Sequence, residues 1–187
     1  MSVDPEDPLD KPSFIPTDHL AAVGRIANAW AALELAIDRV TWSLAKVPDM
    51  YGACMTAQML SINSKWGAMM ALSELRGVSE NTIKKWKTFK SKKISPMQER
   101  RNRVVHDTRM IKDETQQIER LQITAQGDLI FGFQEETMRS LHATRKDIEA
   151  LIYEFQKMRD DLAIELQTLP EKSPRQLFRI SHNPQNS

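Results

Sequence analysis

The chain has a single cysteine, Cys54, among 187 residues. That excludes an intrachain disulfide and any zinc site built on paired thiolates. Its four histidines (His19, His106, His142 and His182) show no Glu-x-x-His or His-x-x-x-His spacing, so no metal site and no di-iron bundle is expected. Six glycines and nine prolines are too few for a fibrous or wholly disordered chain. Gly-x-Gly-x-x-Gly, phosphate-loop and Gly-x-Ser-x-Gly patterns do not occur, which removes support for nucleotide cofactors and for serine hydrolysis. No cofactor is expected. No run approaches the roughly 18 apolar residues of a membrane span. The opening MSVDPEDPLDKPSFIP has neither a basic n-region nor an apolar h-region, so it does not read as a signal peptide. These absences predict a cytoplasmic protein with no membrane partner.

What is present is 41% hydrophobic content, enough for one sizeable core, and a length that suggests one domain. Residues 1–17 set Asp4, Glu6, Asp7 and Asp10 among four prolines and are expected to form a flexible acidic arm. Thr17 or Asp18 should cap a long helix whose stripe runs Leu20, Val23, Ile26, Ala27, Trp30, Leu33, Ile37, Val40 and Leu44. A second helix is expected from about Gly52 to Arg76, stopped by Gly77. Cys54 lies in it and is expected to pack. A third, from Ser79 or Asn81, carries Ile83, Trp86 and Phe89, and SKKIS should break it. Ser95, Pro96 and Gln98 then read as N-cap, first helical residue and capping-box partner of a fourth helix reaching Arg109.

After that the period changes from three or four residues to two. Leu121, Ile123 and Ala125 alternate, as do Leu129, Phe131 and Phe133, with Gln126-Gly127-Asp128 between them as a turn. From Glu135 the helical spacing returns and runs to Leu166, and residues 169–187 should be a loose tail. The predicted fold is all-α: an antiparallel bundle of about five helices over residues 18–168, with one small β-hairpin inserted before the last helix.

Two features carry chemistry. From Lys84 to Arg103 the chain is net +8 over twenty positions, through Lys84, Lys85, Lys87, Lys90, Lys92, Lys93, Arg100, Arg101 and Arg103 against Glu99 alone. Such a stripe attracts polyanions, and these lysines with Arg100 and Arg103 are candidate nucleic-acid contacts, although charge runs often only solvate a surface. The stripe leads into ERRNRVVHDTRM, residues 99–110. On a helix Asn102 and Arg103 share a face with His106, while Arg101 is turned about 140° from it, so a second copy of the helix would ease a joint site. His moves protons near neutral pH, Arg holds phosphate oxygens and Asn orients either; the set suits metal-free phosphodiester cleavage. The plainer possibility is a structural His106 bonded to a carbonyl or to Glu34. Trp86 and Phe89 could stack bases but fit a core face better.

Arg101-Asn102-Arg103-Val104-Val105-His106 resembles the signature of the HEPN superfamily: Arg, a polar residue often Asn, then His after four intervening positions. The layout is similar over roughly residues 18–168, including a long first helix with Trp30 and Glu34, a pair seen in a number of these proteins. The resemblance implies a homodimer with the motif helices facing each other. For many members it also implies metal-independent endoribonuclease activity in toxin–antitoxin, phage-defence or RNA-processing roles, with an RNA substrate and sometimes an antitoxin partner. Carried over, Arg101 and His106 would be catalytic and Asn102 would orient them, with Glu34 in support. Asp107, next to His106 in sequence, could hold the imidazole or raise its pKa, although an adjacent helical residue points about 100° away. Some toxins have Tyr two residues after the His, where a partner enzyme modifies it; here that position is Thr108. Some members are inactive, so a non-catalytic module binding nucleic acid or protein is the alternative.

Overall fold

A computed structural model describes residues 15–112, 115–126 and 128–169. The expected arm and tail fall almost wholly outside the described residues, as does Gly127 of the expected turn. The described chain is predominantly helical with a small three-stranded antiparallel sheet. It divides into two compact units: the residues up to Ala31 with Ile94–Ala150, and Ala32–Lys93 with the residues from Leu151 onward.

Helix α1 spans Thr17–Ala45 and α6 spans Met138–Thr168, and both contribute to each unit. The first bonds of α1 go to the Pro16 carbonyl, from the His19 and Leu20 amides. Its predicted stripe is buried at Ile26, Trp30, Leu33, Ile37, Val40 and Leu44, whereas Leu20 is exposed. Lys46, at φ 55°, turns the chain out of the helix. By length and composition α1 could cross a membrane, contrary to the expectation that no segment would qualify. Its buried stripe and its buried His19, Asp38 and Thr41 are those of a helix packed within protein.

In the first unit, α5 (Ser95–His106) is followed by β1 (Arg109–Lys112), β2 (Gln117–Gln126) and β3 (Asp128–Glu135), in sheet order β1-β2-β3. The predicted hairpin is β2–β3, with Leu121 opposite Phe133 and Ile123 opposite Phe131. The first strand was not expected. Asp107 is extended (φ −70°, ψ 141°), so the helix stops at His106 and Arg109 enters a strand instead of ending the helix. One sheet face carries Arg109, Arg120 and Gln134 in cross-strand register. The opposite face leaves Met110, Ile123, Phe131 and Phe133 exposed. Thr137 and Ser140 cap each other's amides at the start of α6.

The second unit corrects three expectations. The single helix over 52–76 is two, α2 (Asp49–Thr56) and α3 (Ile62–Arg76), because the Ser61 side chain caps the Ser64 amide and starts a new helix. Gly77, at φ 81°, closes α3 as expected. Cys54 is exposed rather than packed, since α2 buries only Gly52 and Thr56. Finally, SKKIS does not break the chain. Helix α4 (Glu80–Phe89) continues through a π-turn at Lys90–Ile94 directly into α5, whose preceding residue Ile94 is itself helical and makes no side-chain cap. Pro96 has no N–H and its ring crowds the carbonyl four residues back, which a wider turn accommodates. The expected capping box is therefore not formed.

The core of this unit is an aromatic cluster. Trp66, Trp86, Phe89 and Phe155 are all buried, with Trp86 and Phe155 edge-on at 5.2 Å between ring centroids and Trp66 and Trp86 at 5.6 Å. Helix α4 is anchored by Glu165 of α6. The Ser79 amide donates to Glu165 Oε1 and Thr82 Oγ1 to Oε2, each at 2.6 Å. Burial alone would raise the Glu165 pKa; the bonds from Thr82 and Ser79 and the charge of Lys85 outweigh it and hold the carboxyl below its ordinary range. A depressed folded-state pKa contributes stability that is complete above the unfolded value and lost as pH falls through the folded one. Denaturation midpoints should therefore fall below about pH 4.3, the ordinary Glu value, and Glu165→Gln should flatten that part of the pH profile. A second prediction concerns Gly52. A Cβ there would overlap the Trp42 ring, whose Nε1 donates to Thr56 Oγ1. Gly52→Ala is expected to cost about 1–3 kcal/mol by overpacking, measured by urea denaturation, despite alanine's higher helix propensity.

Candidate functional site

Helix α5 presents two different faces. On one, Pro96, Arg100, Arg103 and Val104 recur at three- and four-residue steps beside a cleft of about 420 Å³. Arg120, Gln134, Ser140 and Thr144 complete much of its lining, and Glu99, Glu135 and Glu136 also border it. On the other face lie Arg101, Asn102 and His106. Arg101 Nη1 donates to Asn102 Oδ1 at 3.0 Å and lies 3.4 Å from His106 Nε2. The long Arg side chain thus spans the angular gap between Arg101 and His106 within one helix. Arg has only donors, so Nε2 is the accepting nitrogen in this contact and a neutral imidazole carries its proton on Nδ1. His106 is exposed and Arg101 half-buried. Arg101 Nε is buried with no partner among the described residues. A cation, an amide that accepts from it and an accessible imidazole therefore converge at the C-terminal end of α5.

What holds that end is a buried ionic cluster around Glu136, whose side chain is 4% exposed. Glu136 Oε1 accepts from His19 Nε2 at 2.8 Å and from Arg109 Nε at 2.6 Å. Glu136 Oε2 accepts from Arg109 Nη2 at 3.3 Å and lies 3.5 Å from Arg120 Nη1. The same Arg109 guanidinium bonds the carbonyls of Val104 and Asp107. It satisfies helix-terminal acceptors that would otherwise be orphaned, and so ties α5 to the sheet. The Asp107 carboxylate lies 3.5 Å from Arg120 Nε. Asp107 thus braces the strand, not the imidazole that it was expected to hold.

The other predicted residues are distributed. Glu34 is half-buried on α1, in the second unit. Lys84, Lys85, Lys92 and Lys93 line a groove in that same unit. Lys87 pairs with Glu74 at 3.2 Å, and Lys90 is half-buried on the π-turn. Arg100 pairs with Asp147 at 2.7 Å. The Lys87 and Arg100 pairs are solvent-exposed and worth about 0–1 kcal/mol each, so both cations are available for exchange with another anion. Sequence reasoning missed His19, Arg109, Arg120 and Glu136 altogether. No local pattern marks them, since His19 and Glu136 are separated by 117 positions. Comparison with known proteins adds nothing to this site: no family model, no curated protein and no solved structure matches the chain.

Removing one member of a buried, bonded ion cluster strands the others. Glu136→Ala is expected to destabilise the protein by about 3–5 kcal/mol in chemical denaturation. An unchanged midpoint would show that the cluster does not hold the end of α5.

Proposed function

We propose that the chain is a metal-independent endoribonuclease of HEPN type, acting through Arg101, Asn102 and His106. The observation that carries this reading is the contact of Arg101 with both Asn102 and the exposed His106. The motif's three diagnostic side chains meet at the end of α5, where His106 is exposed. In this reading His106 takes the proton of an RNA 2′-hydroxyl, and the 2′-oxygen attacks the adjacent phosphorus. Arg101 neutralises the charge gathering on the non-bridging oxygens. The 5′-oxygen departs with a proton from water, and the imidazole returns its own. The products are a 2′,3′-cyclic phosphate and a 5′-hydroxyl.

The helices are proposed to form one antiparallel bundle, with the motif helix at the seam of a homodimer in the cytoplasm. A toxin–antitoxin or phage-defence role, with a possible antitoxin partner, follows from the resemblance alone.

The test is cleavage of single-stranded RNA by purified protein in EDTA, with the ends identified as cyclic phosphates. His106→Ala should slow cutting by about 10²–10⁴-fold, the contribution of a positioned general acid or base. Arg101→Ala should also be strongly impaired, and sedimentation should report a dimer. Retention of RNA without turnover would favour the binding-module alternative, and equal cutting by His106→Ala would overturn the catalytic assignment.

A further inference from the structure

The second unit contains an open groove of about 500 Å³. Asn81, Lys84, Lys85, Thr88 and Lys92 follow one another along its wall at helical steps. The π-turn adds Lys93 to that wall. The floor is apolar: Met158 of α6 lines it together with Phe89, of which only 5% is accessible. The lining has one carboxylate, Glu154, which lies 3.5 Å from Lys93 with both side chains about half exposed. A pair that exposed separates readily. Glu165, the carboxylate whose charge Lys85 helps to stabilise, is already bonded to Ser79 and Thr82.

Four ammonium groups above an apolar floor select a ligand that is anionic and has an apolar face. A free phosphate would use the walls and leave the floor unmatched. A duplex keeps its base faces stacked inside and cannot reach a concave floor. An unpaired nucleotide presents both parts together. We propose that this groove seats an unpaired nucleotide of a nucleic-acid strand. Its phosphates lie against Lys84, Lys85, Lys92 and Lys93, and its base lies over Phe89 and Met158. That the strand is RNA rests on the functional reading above.

The probe is a short fluorescein-labelled 2′-O-methyl oligouridylate, which cannot be cleaved through a 2′-hydroxyl, titrated with the full chain and read by fluorescence anisotropy. The single strand should bind at least tenfold more tightly than the same strand annealed to its complement. Lys85→Glu combined with Lys92→Glu should weaken single-strand binding tenfold or more. It should also reduce the slope of log affinity against log salt by about 0.7 for each phosphate no longer neutralised. Met158→Glu, at the floor, should weaken single-strand binding several-fold, and circular dichroism should show both variants folded. Equal affinity for single and paired strands, or folded variants that bind like the parent, overturns the groove. The two proposals fail separately. A protein that never cuts RNA but loses binding on Lys85/Lys92 reversal keeps the groove and loses the nuclease. A protein that cuts while its groove variants bind as before does the reverse.

Discussion

A buried carboxylate must find compensating charge or it will not stay buried ionised. Glu136 finds it in Arg109 from β1 and Arg120 from β2, and accepts a hydrogen bond from His19 of α1 as well. Those partners come from three separated segments, so satisfying one carboxylate brings the start of α1, the sheet and the approach to α6 into register. Arg109 extends the constraint to α5 by bonding carbonyls at its end. The position of His106, the last helical residue, is therefore set by a cluster in which it takes no part. A side chain at a helix end, past the last buried position Val104, remains accessible.

The basic stretch shows why a linear charge count is a poor map of a surface. Its nine cations go to different places because a helix rotates about 100° per residue. Arg101 joins Asn102 and His106; Arg100 and Arg103 border the cleft on the other side of α5; Lys87 meets Glu74. Four lysines share the groove, two of them, Lys92 and Lys93, on the π-turn that precedes Pro96.

The aromatic residues in the same stretch are shared between roles. Trp86 and Phe89 close the core with Trp66 and Phe155, as their three-residue spacing with Ile83 predicted. Phe89, only 5% accessible, also lines the floor of the groove. By contrast, Ile123, Phe131 and Phe133, which alternate in sequence, lie exposed on one face of the sheet, while Arg109 and Arg120 on the other face turn to Glu136. Alternation identified the strands and their register. It could not say which face was inside, because that depends on a charged partner distant in sequence.

What the chain determined locally is what short-range sterics and hydrogen bonding control. The stripes of α1 and α6, the β2–β3 pairing and the Gly77 stop all follow from spacing along the chain. What only the tertiary structure decided depends on groups far apart in sequence or on space at close contact. The Glu136 cluster, the β1 strand and the docking of Gly52 under Trp42 are of this kind. A sequence displays periodicity because side chains on one element report to the same face. It does not display which buried charge will meet which cation, because that pairing exists only once the elements have packed.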